Sequence, residues 1–286
     1  MTFDFETIID RRGKDAVAVD APAVQMSGGF FPETKVQEEF SIIPMWVADM
    51  NFQTAPAVAQ AIRSRADHHL YGYFLPPSQY FQSIINWQKE RNGVTDLKPE
   101  HIGYENGVLG GVVSALRILC SNGDPVLVQT PTYVGFTHSL EDNGWKSVLN
   151  PLKRDAEGIW RMDYEDMERK IIENHVHAAI FCSPHNPSGR VWQAWEIEKA
   201  MEIFARHDVY VIADEIWSDL TLPGYHHIPT QSVSEDARNR TIALYSPSKA
   251  FNLAGLVGSY HIVYNAYLRD RIRREATMTH YNHMNV

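Results

Sequence analysis

The sequence predicts an α/β fold in which helices cover a mostly parallel sheet. Four short apolar runs carry that expectation: PVLVQ at 125–129, HAAIFC at 177–182, VYVIA at 209–213 and TIALY at 241–245. Each is continuous rather than alternating, as strands buried on both faces are. Stretches of helical periodicity separate them, which is the order of a parallel sheet. The chain of 286 residues is 44% hydrophobic and 21% charged, an ordinary globular usage with enough apolar material for a sizeable core.

Thr54 with Pro56 starts a helix, and Val58, Ile62 and Ala66 fall on one face of it. A second helix runs from Ser78 to Arg91, with Phe81, Ile84, Ile85 and Trp87 as its apolar side and Gly93 just past its end. GGVVSALRILC at 110–120 reads as helix, and NGD turns the chain into PVLVQ. AWEIEKAMEIFARHD at 194–208 repeats Ile197, Met201 and Phe204 at helical spacing with charges opposite. No repeat, low-complexity tract or long linker interrupts the pattern.

Several function classes drop out. The formal charge of −9, from 26 basic and 35 acidic residues, comes with no basic run, which speaks against a nucleic-acid partner. No stretch approaches the roughly 18–20 unbroken apolar residues of a membrane span. The start, MTFDFETIIDRRGKD, has acids where a signal peptide needs a basic and then an apolar region. Cys120 and Cys182 sit in apolar surroundings and read as reduced, buried thiols. Together these features predict a cytoplasmic protein. His68–His69, His226–His227 and the pair His175 and His177 lack a Cys or acid at ligand spacing, so they read as loop or helix-end residues and no metal site is expected. Trp192 and Trp195 flank a helix start and read as packing.

The residues just after the strands carry the chemistry. PVLVQ leads to Tyr133, HAAIFC to Asn186, VYVIA to Asp214 and TIALY to Lys249. Ligands of open parallel sheets bind at the carboxyl ends of the strands, so an aromatic, an amide, a carboxylate and an amine converge on one edge. Singly, each has a plain reading: Asp214 as a cap, Asn186 as turn chemistry in HNPSG, Tyr133 as core and Lys249 as a solvated charge. Jointly they form a constellation. In YENGVLGGVVSALRIL, residues 104–119, Gly107, Gly110 and Gly111 lie where a loop enters a helix, a place where backbone N–H groups hold an anion. The spacing fits neither a dinucleotide fingerprint nor a P-loop. These parts describe a site for a phosphorylated aromatic aldehyde, and pyridoxal 5'-phosphate is such a molecule.

The stretches FDFETIIDRRG, IPMWVADMNF, YGY, TPTY, SPHNPSG, DEIW and SPSKAFNLAGL, in this order, make the chain resemble the fold-type I pyridoxal-phosphate enzymes of aminotransferase class I and II. Within them it resembles the MalY/PatB-like cystathionine beta-lyases. The resemblance implies a three-layer α/β/α large domain at 46–286 with a mostly parallel sheet, and a small α/β domain of which residues 1–45 are the N-terminal part. The C-terminal portion of that small domain, with the arginine that clamps a substrate carboxylate, is expected to be absent from the sequence. By resemblance Lys249 forms the Schiff base with the cofactor and acts as base, and Asp214 pairs with the pyridine nitrogen. Asn186 bonds the ring oxygen, and Tyr133 stacks on the ring. The backbone of Val108 and Leu109, with Ser246 and Ser248, holds the phosphate. Tyr73 of the YGY motif reaches the phosphate of a neighbouring subunit, which implies a homodimer with shared active sites.

Two positions depart from the family. Trp217 stands where relatives carry tyrosine or histidine, so it can donate one N–H but cannot titrate. Asn51 replaces the second acid of ADMDF. The implied activity is a C–S beta-lyase acting on a small amino-acid substrate, cystathionine or related cysteine S-conjugates. An aminotransferase and a mainly regulatory binding protein are the alternatives.

Overall fold

A computed structural model of the chain describes residues 3–24, 45–279 and 284. Ile43 and Pro44 of the IPMWVADMNF stretch, and most of the segment after Thr279, lie outside the described residues. The helices are α1 (Val17–Val24), α2 (Pro56–Ala66), α3 (Ser78–Asn92), α4 (Gly107–Leu119), α5 (Val134–Asp142), α6 (Tyr164–Asn174), α7 (Ala194–Arg206), α8 (Glu235–Arg240), α9 (Pro247–Ala250) and α10 (Ala266–Thr279). The strands are β1 (Ile102–Glu105), β2 (Pro125–Thr130), β3 (Lys146–Pro151), β4 (Lys153–Arg154), β5 (Trp160–Arg161), β6 (Ala178–Cys182), β7 (Tyr210–Asp214), β8 (Thr241–Tyr245) and β9 (Ser259–Ile262). The chain forms two compact units, Met1–Leu70 with Phe251–Ala254, and Tyr71–Ala250 with Gly255–Val286.

The larger unit is built on a seven-stranded sheet of order β1-β9-β8-β7-β6-β2-β3. The pairs among β3, β2, β6, β7 and β8 are parallel, and β9 alone runs against its neighbours β8 and β1. All four apolar runs read from the sequence are strands of this sheet. Their alternate residues face two separate cores, because successive side chains on a strand point to opposite faces. Val126, Val128, Ile180, Ile212 and Leu244 pack with Val112 and Leu116 of α4, Phe136 of α5 and Leu268 of α10. Leu127, Phe181 and Val211 pack on the other face with Met167 of α6 and Ile197, Met201 and Phe204 of α7. α3 lies on that second face too, with Ile84 against Ala213, Ala243 and Tyr245. The result is the three-layer α/β/α arrangement.

β1 and β9 escaped the sequence reading because they carry buried polar groups that pair with each other. Glu105 of β1, 1% exposed, accepts a hydrogen bond from Ser114 Oγ (3.0 Å) and bonds His261 Nδ1 of β9 (2.8 Å). Gly103 is required opposite that imidazole, since a Cβ there would lie 2.2 Å from the His261 ring. α3 ends as expected at Gly93, which takes the left-handed conformation at φ 69°.

In the smaller unit α2 forms over the expected residues, but none of them is buried, and Ile62 is exposed. The Thr54 hydroxyl does not cap the helix; it donates to Phe251 O (2.8 Å). Arg11 Nη1 donates to Asp49 Oδ1 (3.0 Å) and to Asn51 Oδ1 (3.1 Å). Asn51 thus supplies an uncharged acceptor to a guanidinium already neutralised by Asp49. Among the described residues no helix is long and apolar enough to cross a membrane, and no group of three or more His, Cys, Asp or Glu could hold a metal ion.

Candidate active site

The topology decides where the polar strand ends meet. β2, β6, β7 and β8 are parallel and consecutive in the sheet, so their carboxyl ends line one edge at steps of about 4.8 Å. β1, antiparallel to β9, points the same way and delivers the start of α4 to that edge. Cys182 pairs with Asp214, and Asp214 with Leu244, so three adjacent strands finish almost level.

Asp214 shares its phase with Ile212 and therefore faces the α4 side of the sheet. It is 5% exposed, and Ile216 N–H donates to its Oδ1 (3.1 Å). Burial pushes its pKa up to about 7; the Ile216 hydrogen bond opposes this, the Glu215 charge adds to it, and the Lys249 charge opposes it. Lys249 lies in α9, directly after β8, and its Nζ stands 5.5 Å from the centre of the Trp217 ring. Amine, carboxylate and indole are thus neighbours. Trp217 and Asn186 line one cavity. Asn186 N–H donates to Cys182 Sγ (3.4 Å), and that thiol lies 3.2 Å from Pro184 O, so the turn after β6 folds back on the strand end.

The serines and α4 are linked through β9. Ser246 Oγ donates to Gly258 O (2.7 Å) and lies 2.6 Å from Ser248 Oγ, while Ser248 N–H donates back to Ser246 Oγ (3.1 Å). The next residue, Ser259, donates from Oγ to Glu105 O (3.1 Å), two residues before α4 begins. Gly107 opens α4 at φ 76°, a backbone conformation that favours glycine. Val108 is buried and Leu109 half-buried in that first turn. Gly111 lets α4 sit on the sheet: a Cβ there would lie 2.7 Å from Leu244 Cδ2. Tyr133, at the start of α5, is 40% exposed and meets Phe136 edge-on at 5.5 Å. Its ring and Leu109 Cδ1 both lie against Gly135, which joins the tyrosine to the α4 end of the edge.

Tyr73 is the exception. Its side chain is fully exposed and takes no part in this cluster within one chain. His227 lies in a loop, as expected, but it is buried and its Nε2 bonds Glu215 Oε2 at 2.7 Å. Glu215, with no exposed surface, also accepts from Thr230 N–H (2.8 Å) and the Tyr245 hydroxyl. Only the acid of DEIW hinted at this network; its partners are 12 to 30 residues away. Cys182 is buried and its thiol pushed well above the usual range by burial, whereas Cys120 is half-buried with a thiol pushed up to about 12.

The donor set fits pyridoxal 5'-phosphate. An amine stands beside a buried carboxylate suited to a cationic ring nitrogen, the indole beside that amine shares a cavity with an amide, and two hydroxyls and a helix N-terminus suit a phosphate.

Residues 42–281 match the family model described as aminotransferase class I and II. The chain is 38% identical over 232 residues to cystathionine beta-lyase PatB of Bacillus subtilis (strain 168), covering 81% of this chain and 58% of that protein. It is 29% identical over 269 residues to Protein MalY of Escherichia coli (strain K12), covering 94% of this chain and 65% of that protein. Among solved structures it resembles cystalysin from Treponema denticola, which contains a pyridoxal 5'-phosphate cofactor. That match has a TM-score of 0.90 and 30% identity, and covers 100% of this chain and 70% of the other. The chain spans less than two thirds of the length of these two curated relatives.

Proposed function

The chain belongs to the aminotransferase class I and II family, and from that premise we propose that it holds pyridoxal 5'-phosphate and acts as a C–S beta-lyase. Its substrates are cystathionine or related cysteine S-conjugates, and its products are pyruvate, ammonia and a thiol. The observation that carries this reading is the juxtaposition of Lys249, Asp214 and Trp217 on the strand-end edge, with Asn186 beside Trp217. The likeness to a PatB-type cystathionine beta-lyase supports the lyase over the transaminase.

Bound there, the cofactor supplies an aldehyde carbon for amines and a ring that accepts the electron pair released at the substrate Cα. Lys249 would hold the cofactor covalently, and its amine, when free, would take the substrate Cα proton. Asp214 keeps a proton on the ring nitrogen through an ionic hydrogen bond. Asn186 donates to the ring oxygen, Trp217 borders Lys249, and Tyr133 offers its ring face. The backbone of Val108 and Leu109, with Ser246 and Ser248, receives the phosphate. After Lys249 takes the Cα proton, the electron pair left at Cα would form a Cα–Cβ double bond as the Cβ–S bond breaks, its pair leaving on sulfur, which takes a proton. One water is added as the three-carbon remainder becomes pyruvate and ammonia.

The same reading takes residues 1–45 as part of a small domain and 46–286 as the cofactor-binding domain. It places the protein in the cytoplasm, in keeping with two free thiols. It also makes the protein a homodimer whose exposed Tyr73 serves the partner's phosphate.

The test is dependence on a keto acid. Protein, pyridoxal phosphate and L-cystathionine, with no keto acid added, are expected to release pyruvate over many enzyme equivalents. Amino transfer only when a keto acid is supplied would replace the lyase by an aminotransferase.

A further inference from the structure

Beside the site, the turn after β6 and the segment between β7 and α8 line a cavity of about 460 Å³ whose lining includes Asn186 and Trp217. A cavity of about 150 Å³ suffices for benzene, so this one has room for a ring and its linker. Ile159, Leu220, Leu222 and Tyr225 give it an apolar wall. The wall is braced from behind. Glu215 ties the returning chain through His227 and Thr230, and Asp219 accepts from Trp87 Nε1 and Arg91 Nε, both at 3.1 Å.

Three polar side chains of the lining are tied to other groups, although the buried Arg190 Nε has no hydrogen-bond partner. His185 is 3% exposed, its Nδ1 bonds Ser188 Oγ at 2.8 Å, and burial holds its pKa down at about 4, so the ring is uncharged at neutral pH. Arg190 is paired with Glu196, which has no exposed surface, and lies 5.0 Å from the Trp192 ring. Thr221 Oγ1 donates within the loop to Tyr225 O (2.9 Å). An ionic group entering this space would lose its hydration without meeting an unpaired counter-charge, whereas an apolar group would bury surface at no such cost.

We propose that the cavity receives the substituent on the substrate sulfur and selects uncharged apolar substituents, aralkyl or longer alkyl thioethers, over the zwitterionic arm of cystathionine. This specificity rests on the lyase reading. Asn186 and Trp217, which belong both to the site and to the cavity lining, would be where the amino-acid end and the sulfur substituent part.

The experiment compares S-benzyl-L-cysteine with S-methyl-L-cysteine and L-cystathionine on the protein loaded with pyridoxal phosphate. In parallel, calorimetry measures binding of phenylmethanethiol, the thiol that the benzyl substrate would release. The unchanged chain is expected to favour S-benzyl-L-cysteine over L-cystathionine in kcat/KM by about 10-fold or more, the scale on which an apolar pocket discriminates. Leu222→Asp changes a largely exposed wall residue, so folding is preserved. It is expected to lower the benzyl-to-methyl ratio and to weaken phenylmethanethiol binding, each by about 10-fold. Ile159→Trp, which fills the cavity from the other side, is expected to do the same. Preference for L-cystathionine, or ratios and thiol binding untouched by both variants, would overturn the proposal while leaving a lyase in place. If no substrate releases pyruvate, the lyase reading fails and the thiol measurement alone decides: weakening by both variants keeps the apolar cavity, and unchanged binding removes it.

Discussion

Asp214 shows how one residue can be fitted to a ligand at the expense of the empty fold. Its carboxyl ordinarily ionises near 3.8, and burial at the end of β7 raises this to about 7. A raised folded value means that folding takes up a proton here. The stabilisation is fully present below 3.8 and is lost as pH rises through about 7. Asp214→Asn removes that dependence. In cofactor-free protein, the Tm of the variant relative to the unchanged chain is therefore expected to move in the variant's favour as pH rises across that window. A difference independent of pH would mean that the carboxylate is already compensated. A cation facing Asp214 lowers the same cost, as the Lys249 charge does, which is why a protonated ring nitrogen suits the position. Lys249 and Asp214 were legible in the sequence because each comes after a continuous apolar run, so the strand end locates them. Glu215 was not, since its role depends on His227, Thr230 and Tyr245, which only the folded chain brings to it.

At the scale of elements, α4 separates glycines that the sequence presents as one cluster. Gly107 provides the left-handed turn into the helix, Gly111 provides close approach to β8, and Gly110 provides neither. In Gly111→Ala the new methyl would sit 2.7 Å from Leu244 Cδ2 and 3.2 Å from Glu105 Cγ. A loss of about 1–3 kcal/mol in urea unfolding is expected. The matched change Gly110→Ala meets nothing closer than 3.7 Å and gains helix propensity, so it is expected to stabilise by up to about 1 kcal/mol. Equal effects of the two would contradict the packing assigned to α4. The sequence showed that glycines gather at this helix start, but not which of them faces the sheet, because that is set by the helix's rotation on β8. β1 and β9 were missed for a related reason. Their buried Glu105 and His261 satisfy each other across the pair, and a search for apolar runs passes over strands of that kind.

At the scale of the whole molecule, one sheet edge collects residues from five places spread over much of the chain. Parallel order among β2, β6, β7 and β8 brings Tyr133, Asn186, Asp214 and Lys249 together, and the single reversed strand β9 carries β1 and the start of α4 to the same side. That parallel arrangement was legible from strands alternating with helices. The reversal at β9 was not, and it is what sets Gly258 beside Ser246 and Ser259 beside Glu105, just before α4. The central claim is that this edge holds pyridoxal phosphate through Lys249. The most direct measurement loads the protein with pyridoxal phosphate, reduces it with borohydride and maps the added mass by peptide. The account predicts one pyridoxyl group per chain, on the peptide carrying Lys249, and none at that level in Lys249→Ala. A label on another lysine, or no stable label at all, would contradict it.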